Sequence, residues 1–209
     1  MREFETYYLY DVNQGGCDWL QMRKGRITAS VIGKIVGHAP YNTHSPAELA
    51  AIIKGEKWEV FSDEAKERMK KGNDYEPIVR DKLSQIINKP IHETGFAVWK
   101  ADTRFGASLD GIINKDVGIE IKCPAKMYAP IKEYMQRENR DPKDIKHIWK
   151  SQYDQIIANG VITNRKKIIF CVYAIEEGIM FRQSVDIDYN YWFNFLYPKC
   201  CEFYEKYMQ

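Results

Sequence analysis

The segment Gly118–Pro124, GIEIKCP, sets an acid and an amine two residues apart in a stretch that is otherwise apolar, and Asp110 ends the preceding stretch, FGASLDG. Side chains alternate along a strand, so Glu120 and Lys122 share a face. If the two stretches pair as a hairpin, Asp110 comes close to Glu120. Neighbouring carboxylates repel, and one must take up a proton unless a cation sits between them. A hard divalent ion suits that place. Mg²⁺ takes oxygen ligands, keeps several waters and needs only one or two carboxylates. It polarises a phosphate oxygen and lowers the pKa of a bound water. Lys122 beside it can position that water or offset the charge that develops on phosphorus oxygens. Such a set hydrolyses phosphodiesters.

An acid and a lysine two apart is a common pattern, and Glu64–Ala65–Lys66 repeats it in a charged stretch that reads as a solvated helix face. The plain alternative for GIEIKCP is an edge strand with a surface ion pair. Its apolar setting and the aspartate just upstream argue for more. Glu76 opens a helical segment before the strands and can add a third carboxylate. Gln152, in WKSQYDQIIANG, lies on a helix after them and can bond a phosphate or a metal-bound water.

These residues need elements to hold them. HSPAELAAIIKG carries a full set of helix signals: Ser45 as cap, Pro46 in the first turn, Glu48 completing a capping box and Gly55 past the end. GRITASVIGKIVG reads as a turn, a Thr/Ser cap and a short helix stopped by Gly37. Residues 63–88 read as two helical pieces parted near Gly72 and Pro77, the second with an apolar stripe of Ile78, Leu83, Ile86 and Ile87. IHETGFAVW, FGASLDGII and VGIEIKC read as strands. Helices are expected near 127–139 and from about Asp144 to Asn159. KIIFCVYAI and GIMFRQSVDI form a hairpin around Glu176–Gly178. The aromatic C-terminal stretch is helical in pattern with a possible break at Pro198, and serves as core or as subunit contact. The order predicts one α/β domain over 1–209, a mixed central β-sheet flanked by helices.

Composition is compatible with this. The chain has 209 residues, 44% of them hydrophobic, and a formal net charge of +2, so global charge announces no nucleic-acid partner. Its five cysteines are odd in number, without C-x-x-C spacing, which fits a reducing compartment and argues against a zinc or iron–sulfur site. The start, MREFETYYLYDV, lacks the apolar region of a signal peptide, and no run is long enough to span a membrane. A soluble, cytoplasmic protein is expected.

The ordered motifs WLQMRKGRITAS, KGNDYEPIVRDKL, FGASLDGI, GIEIKCP and WKSQYDQI resemble the phage lambda exonuclease family, also called the YqaJ-type viral recombinase or alkaline exonuclease family. That family is a branch of the restriction-endonuclease-like nucleases. The resemblance implies a restriction-endonuclease-like core. It implies Asp110 and Glu120 as metal ligands, with the backbone carbonyl of Ile121, and Lys122 as the lysine that orients the attacking water. Glu76 matches the helix glutamate that helps hold a second metal. Gln152 matches the glutamine after the catalytic strands, with Gln155 as a competing candidate. Arg23 and Ser30 match a pocket for the 5′-phosphate of DNA, with Ser108 beside the aspartate. An arginine fork and a helix start both suit phosphate. The implied activity is Mg²⁺-dependent 5′→3′ digestion of one strand of linear double-stranded DNA, with two ions and Mn²⁺ able to substitute. It leaves 3′ single strands for an annealing partner protein, in a bacterial or phage-infected cell, and some members form ring trimers.

Three basic clusters could contact phosphates: Lys66, Arg68, Lys70 and Lys71; Lys143, Lys146 and Lys150; and Arg165, Lys166 and Lys167. Most such runs are solvated faces. Rival readings are a restriction-like or repair endonuclease with the same core, and a DNA-binding protein without catalysis.

Overall fold

A computed structural model describes residues 1–40, 42–139, 141 and 144–209, with backbone alone for Ile145 and Ile148. Two sheets and their flanking helices make up the architecture. The first sheet has the order β1-β2-β4-β5-β3, from β1 (Arg2–Glu3), β2 (Tyr7–Tyr10), β3 (Ile27–Thr28), β4 (Phe96–Trp99) and β5 (Phe105–Ala107). The second has the order β6-β7-β8-β9, from β6 (Gly111–Ile112), β7 (Val117–Lys122), β8 (Lys167–Ala174) and β9 (Ile179–Asp186). Each sheet mixes parallel and antiparallel pairs, so the α/β class with mixed sheets is as expected, with the strands shared between two sheets. The chain passes from one sheet to the other at Ser108–Asp110.

Helices α1 (Cys17–Arg23), α2 (Ile32–Ile35) and α3 (Pro46–Lys54) precede the long α4 (Asp63–Ile87). Ser45 caps α3 with both halves of the capping box, and Gly55 ends it at φ 71°. Gly37 is likewise left-handed, at φ 75°. The β7–β8 pair is parallel, so its connection must cross over, and it does so through α5 (Ala129–Gln136), α6 (Ile145–Ile148) and α7 (Lys150–Ile162). β8 and β9 form the hairpin expected around Glu176–Gly178, with Ala174 opposite Ile179. At the C-terminus, α8 (Tyr189–Tyr191), a π-helical turn (Trp192–Leu196) and α9 (Tyr197–Tyr207) run on without interruption. Pro198 follows directly on the π-helical turn, at the second position of α9, and the break expected there does not occur. The buried Trp192, Leu196, Cys200 and Phe203 make the inner side of this segment core.

Three local expectations fail for physical reasons. First, α4 is one helix capped by Ser62, with Pro77 inside it. A proline deletes one backbone donor, and the packing of Tyr75, Val79, Leu83 and Ile87 against β7 and β8 outweighs that loss. Second, of the expected stripe Leu83 and Ile87 face the sheet, but Ile78 and Ile86 are about half exposed; the packed face is an i, i+4 ladder of buried Val79 and Leu83 flanked by the partly buried Tyr75 and Ile87. Third, the helix expected over Asp144–Asn159 is two pieces broken at Trp149, whose φ −146° and ψ 77° are not helical. The strands β1, β2 and β3 and the helix α1 had no clear sequence signal, being short.

Candidate active site

β7 is an interior strand, between β6 and β8, and not an edge. Alternation sends Ile119 and Ile121 toward Val79 and Leu83 of α4, and sends Glu120 and Lys122 to the opposite face, toward α7. The antiparallel β6–β7 pair sets Gly111 opposite Ile119, which brings Asp110 to the end of β6. Its backbone N–H donates to the Ile119 carbonyl at 3.2 Å, and its Oδ2 accepts from the Ile121 N–H at 2.6 Å. The hairpin inferred from the sequence thus places the two carboxylates side by side.

Glu120 is fully buried and carries three donors. Lys122 Nζ reaches its Oε1 at 2.6 Å, Gln155 Nε2 reaches the same oxygen at 2.6 Å, and Asn159 Nδ2 reaches Oε2 at 2.8 Å. Gln155 and Asn159 are one turn apart on α7, so one helix face supplies both amides. Glu76 arrives from α4, where Arg80 Nη2 holds its Oε1 at 2.8 Å.

The charges are crowded. Burial lifts the Asp110 carboxyl well above its usual range, and the neighbouring Glu120 lifts it further. Burial also raises Glu120, with Glu76 adding to the rise while Lys122 and Asn159 restrain it. Glu76 is pushed up to about 7, by burial first and the Asp110 charge second, against the pull of Arg80. Burial alone would lower Lys122, but Glu120, Asp110 and Glu76 override it and keep it an ammonium. The cluster therefore holds more negative charge than one lysine and one arginine satisfy.

The same cleft extends to a second group of residues. Its walls include Trp19, Arg23, Ser30 and Ser108 together with Asp110, Glu120 and Lys122. Arg23 donates to Ser30 Oγ at 3.0 Å and lies over the Trp19 ring, 4.1 Å from its centre. Trp19 Nε1 donates to Ser108 Oγ at 2.8 Å. Among the described residues Arg23 has no carboxylate partner. Burial without an anion lowers its pKa to about 10, which still leaves it charged at neutral pH. A sheltered cation beside two hydroxyls is suited to an anion.

Of the residues singled out from sequence, Asp110, Glu120, Lys122, Arg23, Ser30 and Ser108 all line this cleft. Glu76 is not one of its walls, but its carboxyl is electrostatically coupled to Asp110, which is. Gln152 does not line it. Its Oε1 is buried without a partner, one turn before Gln155, which is the glutamine that touches Glu120. Asn159 and Gln14 were not foreseen. Asn159 repeats the Gln155 position four residues on, a helical-spacing signal that was present in the sequence. Gln14 donates to the carbonyls of Leu109, at 2.8 Å, and Thr94, at 3.1 Å, a long-range tie that no local pattern reveals. In the basic clusters, Lys66 and Lys70 pair with Asp63 and Asp74, and Lys166 and Lys167 pair with Asp116 and Asp186. Arg165 is buried against the Lys115 carbonyl and the Tyr7 hydroxyl. Lys143 lies outside the described residues. All five cysteines are free.

The donor set fits a hard divalent cation by its chemistry: two carboxylates in one cleft, a third coupled to them, and pKa values raised first by burial and then by one another's charge. As placed, no three acidic, imidazole or thiol groups among the described residues converge on one point. Glu120 is instead turned toward Lys122 and the two amides, so an ion here would rest on one or two carboxylates and on water.

Among the described residues no helix is long and apolar enough to cross a membrane. Compared by sequence with curated proteins, the chain matches none. Solved structures share its fold. An alkaline exonuclease, LHK-Exo, from Laribacter hongkongensis is 21% identical, with a TM-score of 0.69 over 90% of this chain and 91% of its own. A second structure of that protein, in complex with dAMP, gives the same values. A phage-related exonuclease from Haemophilus somnus 129PT is 13% identical, with a TM-score of 0.59 over 90% of this chain and 96% of its own. A family model described as a YqaJ-like viral recombinase domain matches residues 18–166, the span that holds the walls of the cleft other than Gln14, and the chain belongs to that family.

Proposed function

We propose that the protein is a DNA nuclease: a Mg²⁺-dependent exonuclease that digests linear duplex DNA in the 5′→3′ direction. The observation that carries this is the continuity of one cleft, with a crowded carboxylate–lysine cluster at one part and, at another, the Arg23 cation, which has no carboxylate partner among the described residues. A phosphodiester at a DNA end offers both a bond to cut and an anion to hold. The fold neighbours described as exonucleases support the reading, as does the dAMP bound to one of them, since a deoxynucleoside monophosphate is what hydrolysis at a DNA end releases.

Asp110 and Glu120, with the Ile121 carbonyl and Glu76, would hold the divalent ions, two by resemblance, with Mn²⁺ able to replace Mg²⁺. Bound there, a divalent ion supplies Lewis acidity toward a phosphate oxygen and a more acidic water. The chain's own groups do the rest. Lys122, held on Glu120, orients water by donating a hydrogen bond and offsets charge that grows on the phosphate. Gln155 and Asn159 fix the plane of the Glu120 carboxylate. Arg23 and Ser30, with Ser108 beside them, hold a terminal 5′-phosphate and set the register of the strand in the cleft. The 3′ single strands that remain would pass to an annealing protein, and a ring trimer would hold the enzyme on its substrate.

The test is one gel with end-labelled linear duplex and closed circular duplex in Mg²⁺, Ca²⁺ or chelator. Shortening from the 5′ end in Mg²⁺ only, with the circle intact, is expected. Cleavage of the circle would identify an endonuclease, and no product under any condition would leave a binding protein.

A further inference from the structure

We infer that Arg80 and Glu93 form a strut that holds Glu76 at the cleft, which makes both of them positioning residues. This rests on the proposed nuclease site and adds two residues to it. Arg80 lies one turn after Glu76 on α4, on the flank of the buried Tyr75–Val79–Leu83 ladder. One arm of its guanidinium donates to Glu76 Oε1 at 2.8 Å, and the other donates to Glu93 Oε1. The Arg80 side chain is only 11% exposed, whereas that of Glu93 is 73% exposed.

The two ends of the strut belong to different parts of the fold. Glu76 and Arg80 ride on a helix. Glu93 follows His92, whose backbone N–H and carbonyl both bond Ile112, each at 2.8 Å. That bridge stitches the Glu93 segment to β6, directly after Asp110. The Arg80 stem runs past Gly111, where an added Cβ would stand 3.7 Å from Arg80 Cδ and 2.4 Å from Ile91 Cγ2. A glycine there leaves room for the stem and for the isoleucine.

The physical need is clear. Glu76 is coupled to the Asp110 charge, and a free glutamate midway along α4 could rotate away toward water. A forked guanidinium bonded to both carboxylates removes that freedom. A lysine, with its single point charge, could meet one carboxylate but not both in a fixed plane. Among the described residues Arg80 is the side chain that ties α4 to the segment before β4 through charge on both arms.

The experiment compares wild type with Glu93→Gln, Arg80→Lys, Arg80→Ala, Glu76→Gln and the Arg80→Ala/Glu76→Gln pair. Two quantities are measured: Mn²⁺ affinity of the DNA-free protein by calorimetry, and kcat on end-labelled linear duplex. Arg80→Ala is expected to weaken Mn²⁺ binding by about tenfold or more, as loss of a group that supports a ligand does. Glu93→Gln, an exposed change that keeps the fold, should weaken it by a smaller factor in the same direction. Arg80→Lys should recover part of the loss. In the Glu76→Gln background, Arg80→Ala should add nothing, because its effect passes through Glu76. Wild-type Mn²⁺ affinity and kcat in Glu93→Gln and Arg80→Lys would overturn the strut while leaving the nuclease site standing. A full additional loss in the double variant would also overturn it. A wild-type protein that binds no Mn²⁺ and cuts no DNA would bring down the site and the strut together.

Discussion

Gln155 Nε2 lies 2.6 Å from Glu120 Oε1, across the gap between α7 and β7, while Gln152 one turn earlier makes no such bond. The amide helps to share out the negative charge on a carboxylate that has no access to solvent. Gln155→Ala should therefore lower kcat by roughly 10–100-fold, the usual loss when a supporting partner is removed, and Gln152→Ala by much less. Single-turnover rates on 5′-phosphorylated duplex check this. Equal losses in the two variants would show that the bond to Glu120 does not matter.

Among the described residues Lys122 is the only ammonium bonded to Glu120, so its removal deprives the cluster of its internal cation. Lys122→Ala and Glu120→Gln should each reduce hydrolysis by about 10²–10⁴-fold, the range for loss of a group acting on a proton or developing charge. Circular dichroism should show an unchanged fold. Wild-type-like turnover in either variant would remove these residues from the chemistry.

The carboxylate cluster also makes a pH prediction. Glu76 is held up near 7 in the folded chain, against about 4.5 for the same group without burial or neighbours. Below the lower value both states carry the proton, and the group is neutral to stability. Between the two values the folded state keeps a proton that the unfolded state has released, so stability falls as pH rises. In chelator, the unfolding midpoint should therefore decline between about pH 5 and pH 7.5. Mn²⁺ should flatten this slope by supplying the missing positive charge. A midpoint that rises with pH over this window in chelator would contradict the crowding of Glu76, Asp110 and Glu120.

Arg23 tests the other part of the cleft. Arg23→Ala should reduce the preference for 5′-phosphorylated over 5′-hydroxyl ends, and should lower the salt dependence of binding by about one phosphate contact. Arg23→Lys should restore little, since an ammonium cannot fork onto a phosphate and stack on Trp19 together. An unchanged end preference in Arg23→Ala would place the terminal phosphate elsewhere.

Gly33 on α2 meets α7 at close range. A methyl group there would stand 2.8 Å from Ser151 Cβ and 3.0 Å from its Cα. Gly33→Ala should destabilise the protein by about 1–3 kcal/mol through overpacking. It should also slow catalysis, because α2 follows Ser30 and α7 carries Gln155. Thermal unfolding and kcat measured together check the coupling.

Much of the site was legible locally. Asp110, Glu120 and Lys122 could be read as a cluster because strand alternation and hairpin pairing are short-range rules, and both held. The capping of α3 was legible for the same reason, since Ser45 and Glu48 bond each other across a single turn. Ile78 and Ile86 were misplaced in the α4 stripe, beside Leu83 and Ile87 which pack as expected, because helical spacing allows several neighbouring faces. Which one is buried depends on the sheet it meets, and that sheet lies far along the chain.

What the amino-acid order by itself determined was the set of chemical groups and their near-neighbour geometry: acid and amine on one strand face, and caps at helix ends. What only the tertiary structure decided was which distant groups complete them. Gln155 over Gln152, Asn159 on the second oxygen of Glu120, Gln14 across Leu109 and Thr94, and Glu93 on Arg80 all depend on how α7, α4 and the first sheet pack. The reason is physical. Alternation and helical period act within a few residues, whereas a hydrogen bond between residues far apart in sequence exists only after apolar burial has fixed the elements that carry them.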